Sequence, residues 1–232
     1  MPPKTVWIDD PGIAVRLNRQ RRARRFTLRL ETGGDGAVLT LPPQVCETDA
    51  RAFLLRHRGW LARALSDRPA PVTVAPGVSL PVDGVAVPVV AEVCRGVRLD
   101  GGRLAVPRGR APGPAVAAWL KARARDRLAP LAEAHAGRLG RRIAGVSLRD
   151  TRSRWGSCSS AGRLSFSWRI AMAPPEVQDY LAAHEAAHLV EMNHSARFWA
   201  LVERLMPGHE RPRAWLKRDG RGLHRYRFDT GD

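Results

Sequence analysis

Three of the seven histidines in this 232-residue chain lie close together, in the sequence HEAAHLVEMNH from residue 184 to residue 194. On an α-helix, His184 and His188 would be about 40° apart around the axis and about 6 Å apart along it. Both imidazoles could then reach one metal ion from the same helical face. Glu185 would flank that ion without binding it, as the general base of an H-E-x-x-H arrangement does. The spacing therefore predicts a zinc site with Glu185 as the catalytic residue.

A catalytic zinc site needs a third protein ligand as well as an open position. His194 follows His188 by six residues, and a continuous helix would turn it about 240° away from the direction of His188. The helix must therefore end before His194, and Asn193 suits a left-handed residue at such an end. Glu191 and Glu203 are competing third ligands, less favoured on geometry. The alternative for the whole cluster is a packed helix whose histidines are only solvated or hydrogen-bonded.

Local signals predict the elements that would carry these residues. Pro174, Pro175 and Glu176 suit the first turn of a predicted helix that runs to about Met192. A second helix is predicted from Ser195, a suitable N-cap, to Met206. Residues 164–170, with the sequence LSFSWRI, alternate between apolar and polar side chains and so predict a strand.

The N-terminal part of the chain is predicted to be rich in strands. Phe26, Leu28 and Leu30 fall on one side of an alternating segment, as in a half-buried strand. The following sequence ETGGDG predicts a hairpin turn. One helix is expected over residues 48–67, and residues 69–107 show short valine-rich strands separated by proline and glycine.

A proline- and glycine-rich segment at residues 108–114 is the best candidate for a linker. A long helical pattern follows it, and Pro130 is expected to kink this helix or divide it in two. We therefore predict an α+β protein with two parts. Residues 1–110 form a β-rich N-terminal region with one helix, and residues 111–232 form a domain in which the histidine-bearing helix packs on a small sheet.

The composition is that of a soluble globular protein, with 44% hydrophobic and 26% charged residues. No apolar run approaches the ~20 residues needed to span a bilayer, and the first residues lack the apolar segment of a secretory signal. Three cysteines, Cys46, Cys94 and Cys158, are too few and too scattered for a disulfide framework. We therefore expect a reduced, cytoplasmic protein with no membrane partner.

The chain is strongly basic, with a formal net charge of +17, and all but three of its 39 basic residues are arginine. This preference fits either a bias in genomic composition or a surface that binds nucleic acid. The densest run, residues 16–30, holds seven arginines and no acidic residue. A solvated strand or hairpin face is one interpretation of this run, and a nucleic-acid contact is the other.

Three segments together resemble the YgjP-like metallopeptidase family, which is related to the SprT-like and other zincin-type peptidases. They are RRARRFTLRL (21–30), SRWGSCSSAGRLSFSWRI (153–170) and HEAAHLVEMNHSARFW (184–199). The resemblance runs from about residue 14 to residue 206. It implies a zincin-like fold, a peptide or protein substrate and a Zn²⁺ cofactor. It also implies that His184, His188 and His194 are the zinc ligands and that Glu185 is the catalytic base.

Two features of the resemblance affect what it implies. Ala186 and Ala187 replace the larger residues usual inside the motif, which changes the packing behind the ligands but no catalytic group. Some family members carry a nucleotide (uridine triphosphate) pyrophosphatase label in place of a peptidase one. In the expected fold the LSFSWRI strand lies beside the active-site helix, where an edge strand could bind an extended peptide by β-addition.

Residues outside the histidine motif are candidates for contacts with substrate. Arg154, Trp155 and Tyr226 are the predicted substrate-binding residues. An oxyanion donor is also expected, and Tyr226, Arg154, His209 and His224 are its candidates. Cys158 is interpreted as filling a small site in a turn, with ligation of the zinc in a latent state as the alternative.

Three functions remain open at this stage. The first is a zinc-dependent metallopeptidase. The second is a zinc-dependent nucleotide pyrophosphatase in which Arg152 and Arg154 hold phosphate, although the sequence contains no Gly-rich phosphate loop. The third is a non-enzymatic nucleic-acid-binding protein that uses the basic surface.

Overall fold

The computed structural model describes residues 5–8, 12–31, 36–67, 69–109 and 111–229. The chain forms two compact units, residues 1–70 and residues 71–232. The sequence placed a division further along the chain, between residues 110 and 111. Both units mix strands and helices, so the α+β class is confirmed.

The N-terminal unit consists of a four-stranded sheet and two helices. Its elements are β1 (Thr5–Ile8), β2 (Ile13–Arg19), β3 (Thr27–Leu30), β4 (Ala37–Leu41), α1 (Glu47–Arg56) and α2 (Arg58–Ser66). The strand order is β1-β2-β4-β3, with β2 parallel to β4 and the other pairs antiparallel.

The alternating pattern of β3 is confirmed, because Phe26, Leu28 and Leu30 pack against the core of this sheet. The predicted hairpin turn between β3 and β4 falls mostly on residues 32–35, which lie outside the described residues. The backbone N–H of Glu31 donates to the carbonyl of Gly36 at 2.9 Å, which joins the two strands at that end. The helix predicted over residues 48–67 is two helices, which meet at His57.

The C-terminal unit contains three sheets and four α-helices among its described residues. The strands of the larger sheet are β6 (Ser79–Val82), β7 (Val85–Glu92), β8 (Arg98–Asp100) and β9 (Arg103–Pro107), in the order β6-β7-β9-β8. The other strands are β5 (Val72–Thr73), β10 (Gly145–Arg149), β11 (Gly156–Cys158), β12 (Arg163–Ser167) and β13 (Tyr226–Arg227). The helices are α3 (Pro112–Arg138), α4 (Pro175–Ala187), α5 (Ala196–Leu205) and α6 (Glu210–Arg218).

Residues 71–110 belong to this unit because their strands bury their apolar side chains against α3. Val87, Val89 and Leu104 lie in one hydrophobic cluster with Val116 and Leu120. The strands before residues 108–114 and the helix after them share one hydrophobic core. This glycine- and proline-rich segment is therefore a connection within one unit and not a linker between two domains.

Helix α3 is a single helix of 27 residues, and Pro130 does not divide it. A fully buried stripe at four-residue spacing runs along one face on both sides of this proline, formed by Val116, Leu120, Ala124, Leu128 and Ala132. Packing of that stripe outweighs the backbone hydrogen bond that proline cannot donate.

A tight turn between β6 and β7 packs against Pro174, the residue just before α4. Asp83 and Gly84 both have positive φ, 48° and 81°, as an Asp-Gly hairpin turn requires. A Cβ on Gly84 would lie 2.7 Å from Pro174, so only glycine allows this approach. The side-chain amide of Gln178 donates to Asp83 Oδ1 at 2.9 Å and fixes the same end of α4.

The small sheet beside α4 has the strand order β10-β12-β11. Strand β12 is its central strand, parallel to β10 and antiparallel to β11. The expectation that LSFSWRI provides the edge strand is therefore corrected. The strand ends at Ser167, Trp168–Met172 forms a buried 3-10 helix, and β11 is the edge strand that contacts α4.

In the described part of the chain, no helix combines the length and the apolar character that crossing a membrane requires.

Candidate metal centre

Helix α4 carries His184 and Glu185 and ends just before His188. Pro175 occupies its first turn, where the missing N–H costs no hydrogen bond. His188 is the C-cap, with φ −65° and ψ −15°, so the helix is shorter than the predicted end at Met192. The first two histidines therefore project from the last turn of the helix.

The turn that leads to His194 uses a side chain in place of a left-handed residue. Asn193 does not have positive φ; among the described non-glycine residues, Asp83 alone does. Instead, Asn193 Oδ1 accepts a hydrogen bond from the backbone N–H of Ser195 at 3.1 Å. Ser195 then caps α5 by accepting from the N–H of Phe198 at 3.4 Å, which confirms the predicted second helix and its N-cap.

The structure brings His184, His188 and His194 together. One ring nitrogen of each lies within 4.8 Å of the other two. The Nε2 atoms of His184 and His194 are 3.1 Å apart. Two nitrogens bound tetrahedrally to one ion at ~2.0–2.1 Å would be about 3.3 Å apart, so the spacing fits a shared metal ion.

A backbone hydrogen bond sets the orientation of the second histidine. His188 Nδ1 lies 3.0 Å from the carbonyl oxygen of Glu191, to which it can donate. That contact leaves Nε2 of His188 free to bind a metal, as a carbonyl partner does in many histidine sites. Glu191 itself pairs with Arg197 at 3.5 Å, and Glu203 accepts from His209, so neither competing ligand joins the three histidines.

Burial keeps the imidazoles of His184 and His188 in the neutral form that binds metals. It lowers the pKa of His184 to about 3, with further lowering by the neighbouring His188 and His194. Burial also lowers the pKa of His188. Both rings are therefore unprotonated at neutral pH.

Two aromatic residues of α5 hold the histidine rings in place. The ring of Phe198, which is fully buried, stacks on His188 at 4.5 Å and meets His184 edge-on at 4.9 Å. Trp199 stacks on His194 at 5.8 Å. The third histidine thus lies in the turn before α5, and Phe198 of this helix packs against all three histidine rings.

Glu185 points into a confined space between α4 and β11. Its side chain is buried, and its Oε2 has no hydrogen-bond partner among the described residues. Burial raises its pKa to about 8, and the positive charge of Arg154 opposes this effect. A Cβ on Gly156 would lie 2.3 Å from Glu185 Oε1, so the glycine of the RWGSC segment is what makes room for this carboxylate.

An open cavity of about 590 Å³ lies beside the histidines. It is lined by Trp155, Tyr180, His184, His194, Trp199, Arg213, Leu216, Lys217 and Arg221. The predicted substrate residue Trp155 is in this wall, and Arg154 is close enough to influence Glu185 electrostatically. Tyr226 is not in the wall; it pairs with Val72 in the sheet of β13 and β5, and its carbonyl accepts from Arg169 at 2.8 Å.

The sequence did not point to the basic side of this cavity. Arg213 and Lys217 belong to α6, which follows the histidine motif in the sequence and reaches the cavity through packing of α6 on α4. Tyr180 lies four residues before His184 on α4, and its hydroxyl oxygen lies 3.4 Å from His184 Nδ1. No local pattern relates Arg213 and Lys217 to the histidines, whereas the four-residue spacing of Tyr180 and His184 on one helix could have indicated their contact.

The remaining oxyanion candidates have other contacts. His209 is buried, with Nδ1 2.8 Å from Glu203 and Nε2 3.8 Å from Glu210. Glu203, His209 and Glu210 are close enough together to be considered as a second metal site. The two carboxylates contact opposite ring nitrogens of His209, however, and this arrangement does not suit a single metal ion bound by all three residues. His224 stacks on Trp155 at 4.8 Å and so supports the cavity wall from behind.

Cys158 lies at the end of β11 and is half-buried. Its thiol donates weakly to the carbonyl of Ser159 at 3.4 Å. Burial raises the pKa of this thiol, and the nearby Glu185 adds to the effect. A protonated thiol is a poor ligand, which favours the packing interpretation over ligation of a metal.

A second cavity, of about 360 Å³, lies along α3 away from the histidines. Its lining includes Trp119, Arg123 and Asp126. Arg123 contacts both Trp119 and Asp83 there, so its charge is already paired.

Comparison with known proteins places the site in a family. Residues 24–219 match the YgjP-like family, described as a metallopeptidase domain. Among solved structures, the chain is similar to the crystal structure of the metallopeptidase zymogen of Pyrococcus abyssi abylysin. The two are 25% identical over 40% of this chain and 95% of that chain, with a TM-score of 0.36. No curated protein gives a significant match.

A metallopeptidase family implies a metal ion, and the three histidines are positioned to bind one. The match spans more than four fifths of the chain and includes the histidine motif, the RWGSC segment and α6. The chain therefore belongs to the YgjP-like metallopeptidase family.

Proposed function

We propose that this metallopeptidase is zinc-dependent and hydrolyses peptide bonds with Glu185 as general base. One observation carries the proposal. Two imidazole Nε2 atoms face each other at 3.1 Å, and the residue after the first of these histidines is a buried carboxylate with an unpaired oxygen.

The residues divide the chemical work among themselves. His184, His188 and His194 would hold Zn²⁺. When bound, the ion would lower the pKa of water and polarise the carbonyl of the scissile peptide bond. Glu185 would take a proton from the attacking water and deliver it to the leaving amine. Gly156 and the end of α4 keep the carboxylate beside the histidines, and the dry pocket strengthens its interactions with charge.

The edge strand β11 supports a peptide as the substrate. One side of β11 pairs with β12. The backbone groups on its other side pair with no described strand. An extended peptide could add to that edge by main-chain hydrogen bonds, largely independent of its sequence. Trp155, directly before β11, would then contact the substrate from the cavity wall.

A nucleotide pyrophosphatase is the second candidate. It is favoured by the basic side chains in the cavity, Arg213, Lys217 and Arg221, which could bind phosphates as well as carboxylates. It would use the same three histidines. Arg152 and Arg154, the phosphate-binding candidates from the sequence, are both exposed, and Arg154 is close enough to Glu185 to lower the pKa of its carboxyl group.

Metal content and activity measured on the same samples test the proposal. Wild-type protein should bind one zinc per chain by mass spectrometry, and His188→Ala should lose it. His57→Ala, which changes a histidine of the N-terminal unit, is the matched control and should keep the zinc. Casein and uridine triphosphate are then offered separately: cleavage of casein supports the peptidase, and hydrolysis of the nucleotide alone supports the second candidate.

Glu185→Gln separates the role of the base from that of the metal site. The variant should retain zinc and lose hydrolysis, because an amide cannot accept the proton from water. Undiminished hydrolysis in a zinc-loaded variant would remove Glu185 from the mechanism.

A further inference from the structure

Three basic side chains line one side of the cavity. Arg213 and Lys217 are four residues apart on α6, so they lie on one helical face, and Arg221 follows in the 3-10 helix Gly220–Arg225. We call these three residues the basic rim. None of the residues that line this cavity is acidic within the described chain.

The basic rim is held next to the metal centre by aromatic stacking. The guanidinium carbon of Arg213 lies 3.8 Å from the centre of the Trp199 ring, and Trp199 stacks on His194. A guanidinium over an indole ring is a favourable cation–π geometry. A positive charge is therefore fixed within one side chain of a proposed metal ligand.

Acidic residues near the rim are engaged with other partners. Asp219 binds Arg218, with Nη2 2.6 Å from Oδ2, and Glu210 lies near His209. No member of the basic rim forms an ion pair with any described residue. Three like charges around one cavity repel each other, and an anionic ligand would relieve that repulsion.

We propose that the basic rim is a subsite that selects peptide substrates with aspartate or glutamate side chains close to the scissile bond. This inference rests on the proposed peptidase function and names its substrate class. Successive side chains on one face of an extended peptide are about 6.6 Å apart. Arg213 and Lys217 are about 6 Å apart along their helix, so alternate acidic residues would meet both.

The rest of the cavity fits a side chain better than a triphosphate. Trp155, Trp199 and Leu216 provide apolar walls that can contact the methylene groups of glutamate. The basic residues are spread along α6 and the following 3-10 helix, whereas a phosphate chain is bound by groups that converge.

Binding measured without hydrolysis tests the subsite. The probes are two fluorescently labelled peptides that alternate threonine with glutamate in one and with glutamine in the other. Both are titrated into zinc-loaded Glu185→Gln protein at physiological ionic strength. We expect the glutamate peptide to bind about five- to tenfold more tightly, the gain that one or two partly screened ion pairs provide.

Variants of α6 locate the source of that preference. Lys217→Glu should remove or reverse the preference, and Arg213→Gln should reduce it. Arg218→Glu is the matched control: it makes the same change in charge on the same helix, but Arg218 does not line the cavity and should retain the preference. Equal binding of the two peptides, or equal effects of Lys217→Glu and Arg218→Glu, would overturn the subsite.

Two further measurements separate this inference from the proposed function. If the wild-type protein cleaves both peptides equally well and binds them equally, the peptidase stands and the subsite is rejected. If the Glu185→Gln variant prefers the glutamate peptide but wild-type protein cleaves no peptide, the basic rim binds acidic peptides, and the peptidase is rejected together with the role of the rim in selecting its substrates. Tight binding of uridine triphosphate that depends on Lys217, without discrimination between the peptides, would assign the basic rim to a nucleotide.

Discussion

Gly156→Ala should impair hydrolysis by displacing Glu185, the proposed general base, although Gly156 itself takes no part in the proposed reaction. Gly156 has no positive φ, so its backbone conformation suits alanine as well as glycine. The effect is therefore steric. The new Cβ would lie 2.3 Å from Oε1, 2.6 Å from Cδ and 2.7 Å from Cγ of Glu185.

The magnitude follows from the size of this overlap. Ordinary van der Waals contact begins at 3.4 Å, so the Glu185 side chain must move by about 1 Å. A displacement of that size in a catalytic group costs about 100-fold in rate. The fully packed surroundings add about 1–3 kcal/mol of lost stability from overpacking.

Hydrolysis of a labelled peptide by zinc-loaded protein measures the loss, and chemical denaturation measures the stability. Zinc content should remain one per chain, because the three atoms nearest to the new Cβ all belong to Glu185 and none to a histidine. Gly137→Ala is the control, since a Cβ there meets nothing within 4 Å. Full activity in a folded, zinc-loaded Gly156→Ala protein would refute the proposed role of Glu185 as general base.

Four further changes address the metal, the turn, the pH dependence and the basic surface. His194→Ala should weaken zinc binding at least about 100-fold in a competition titration, and an unchanged affinity would place the third ligand elsewhere. Ser195→Ala should cost about 1 kcal/mol in metal-free protein, because it removes the cap of α5; unchanged denaturation would contradict the cap. Burial and the nearby Arg169 lower the pKa of His224 to about 4, below its usual value of 6.5, so the stability held above pH 6.5 should fall as the pH drops toward 4. After allowing for partial exposure, the free energy of unfolding should fall by about 2 kcal/mol over this range. The His224→Phe variant, measured by acid denaturation, should lack this part of the pH dependence, and an unchanged pH dependence would contradict the assignment. Charge reversal in the exposed loop after β2 should weaken retention on immobilised DNA or RNA if that loop binds nucleic acid, and unchanged retention would identify it as a solvated surface. The residues to reverse are Arg21, Arg22, Arg24 and Arg25.

The cytoplasmic location and the nucleic-acid contact remain predictions from composition. The family supports a peptide or protein substrate at the level of the enzyme class.

The sequence by itself determined the local features of the metal centre. Helical periodicity placed His184 and His188 on one face. A straight helix would direct His194 away from that face, so a turn was required between His188 and His194. Ser195 was correctly predicted as the cap of the next helix. These features are predictable because they depend on residues within a few positions of each other, where backbone geometry fixes the spatial relation.

Even some local features were decided by packing. Pro130 does not divide α3, because the buried stripe on both sides of it fixes the helix against its neighbours. The turn before His194 uses the side chain of Asn193, where the sequence suggested a left-handed backbone. In both cases several conformations satisfy the local rules, and tertiary contacts select one of them.

Only the tertiary structure decided what surrounds the histidines. The close approach of Gly156 to Glu185, the edge position of β11 and the basic rim on α6 each join residues that are distant in sequence. Periodicity and capping carry no signal for such pairs, because their proximity depends on the packing of whole helices and strands. The sequence thus determined which groups could bind a metal, and the packing of α4 against β11, α5 and α6 decided how Glu185 is held and what lines the cavity beside the histidines.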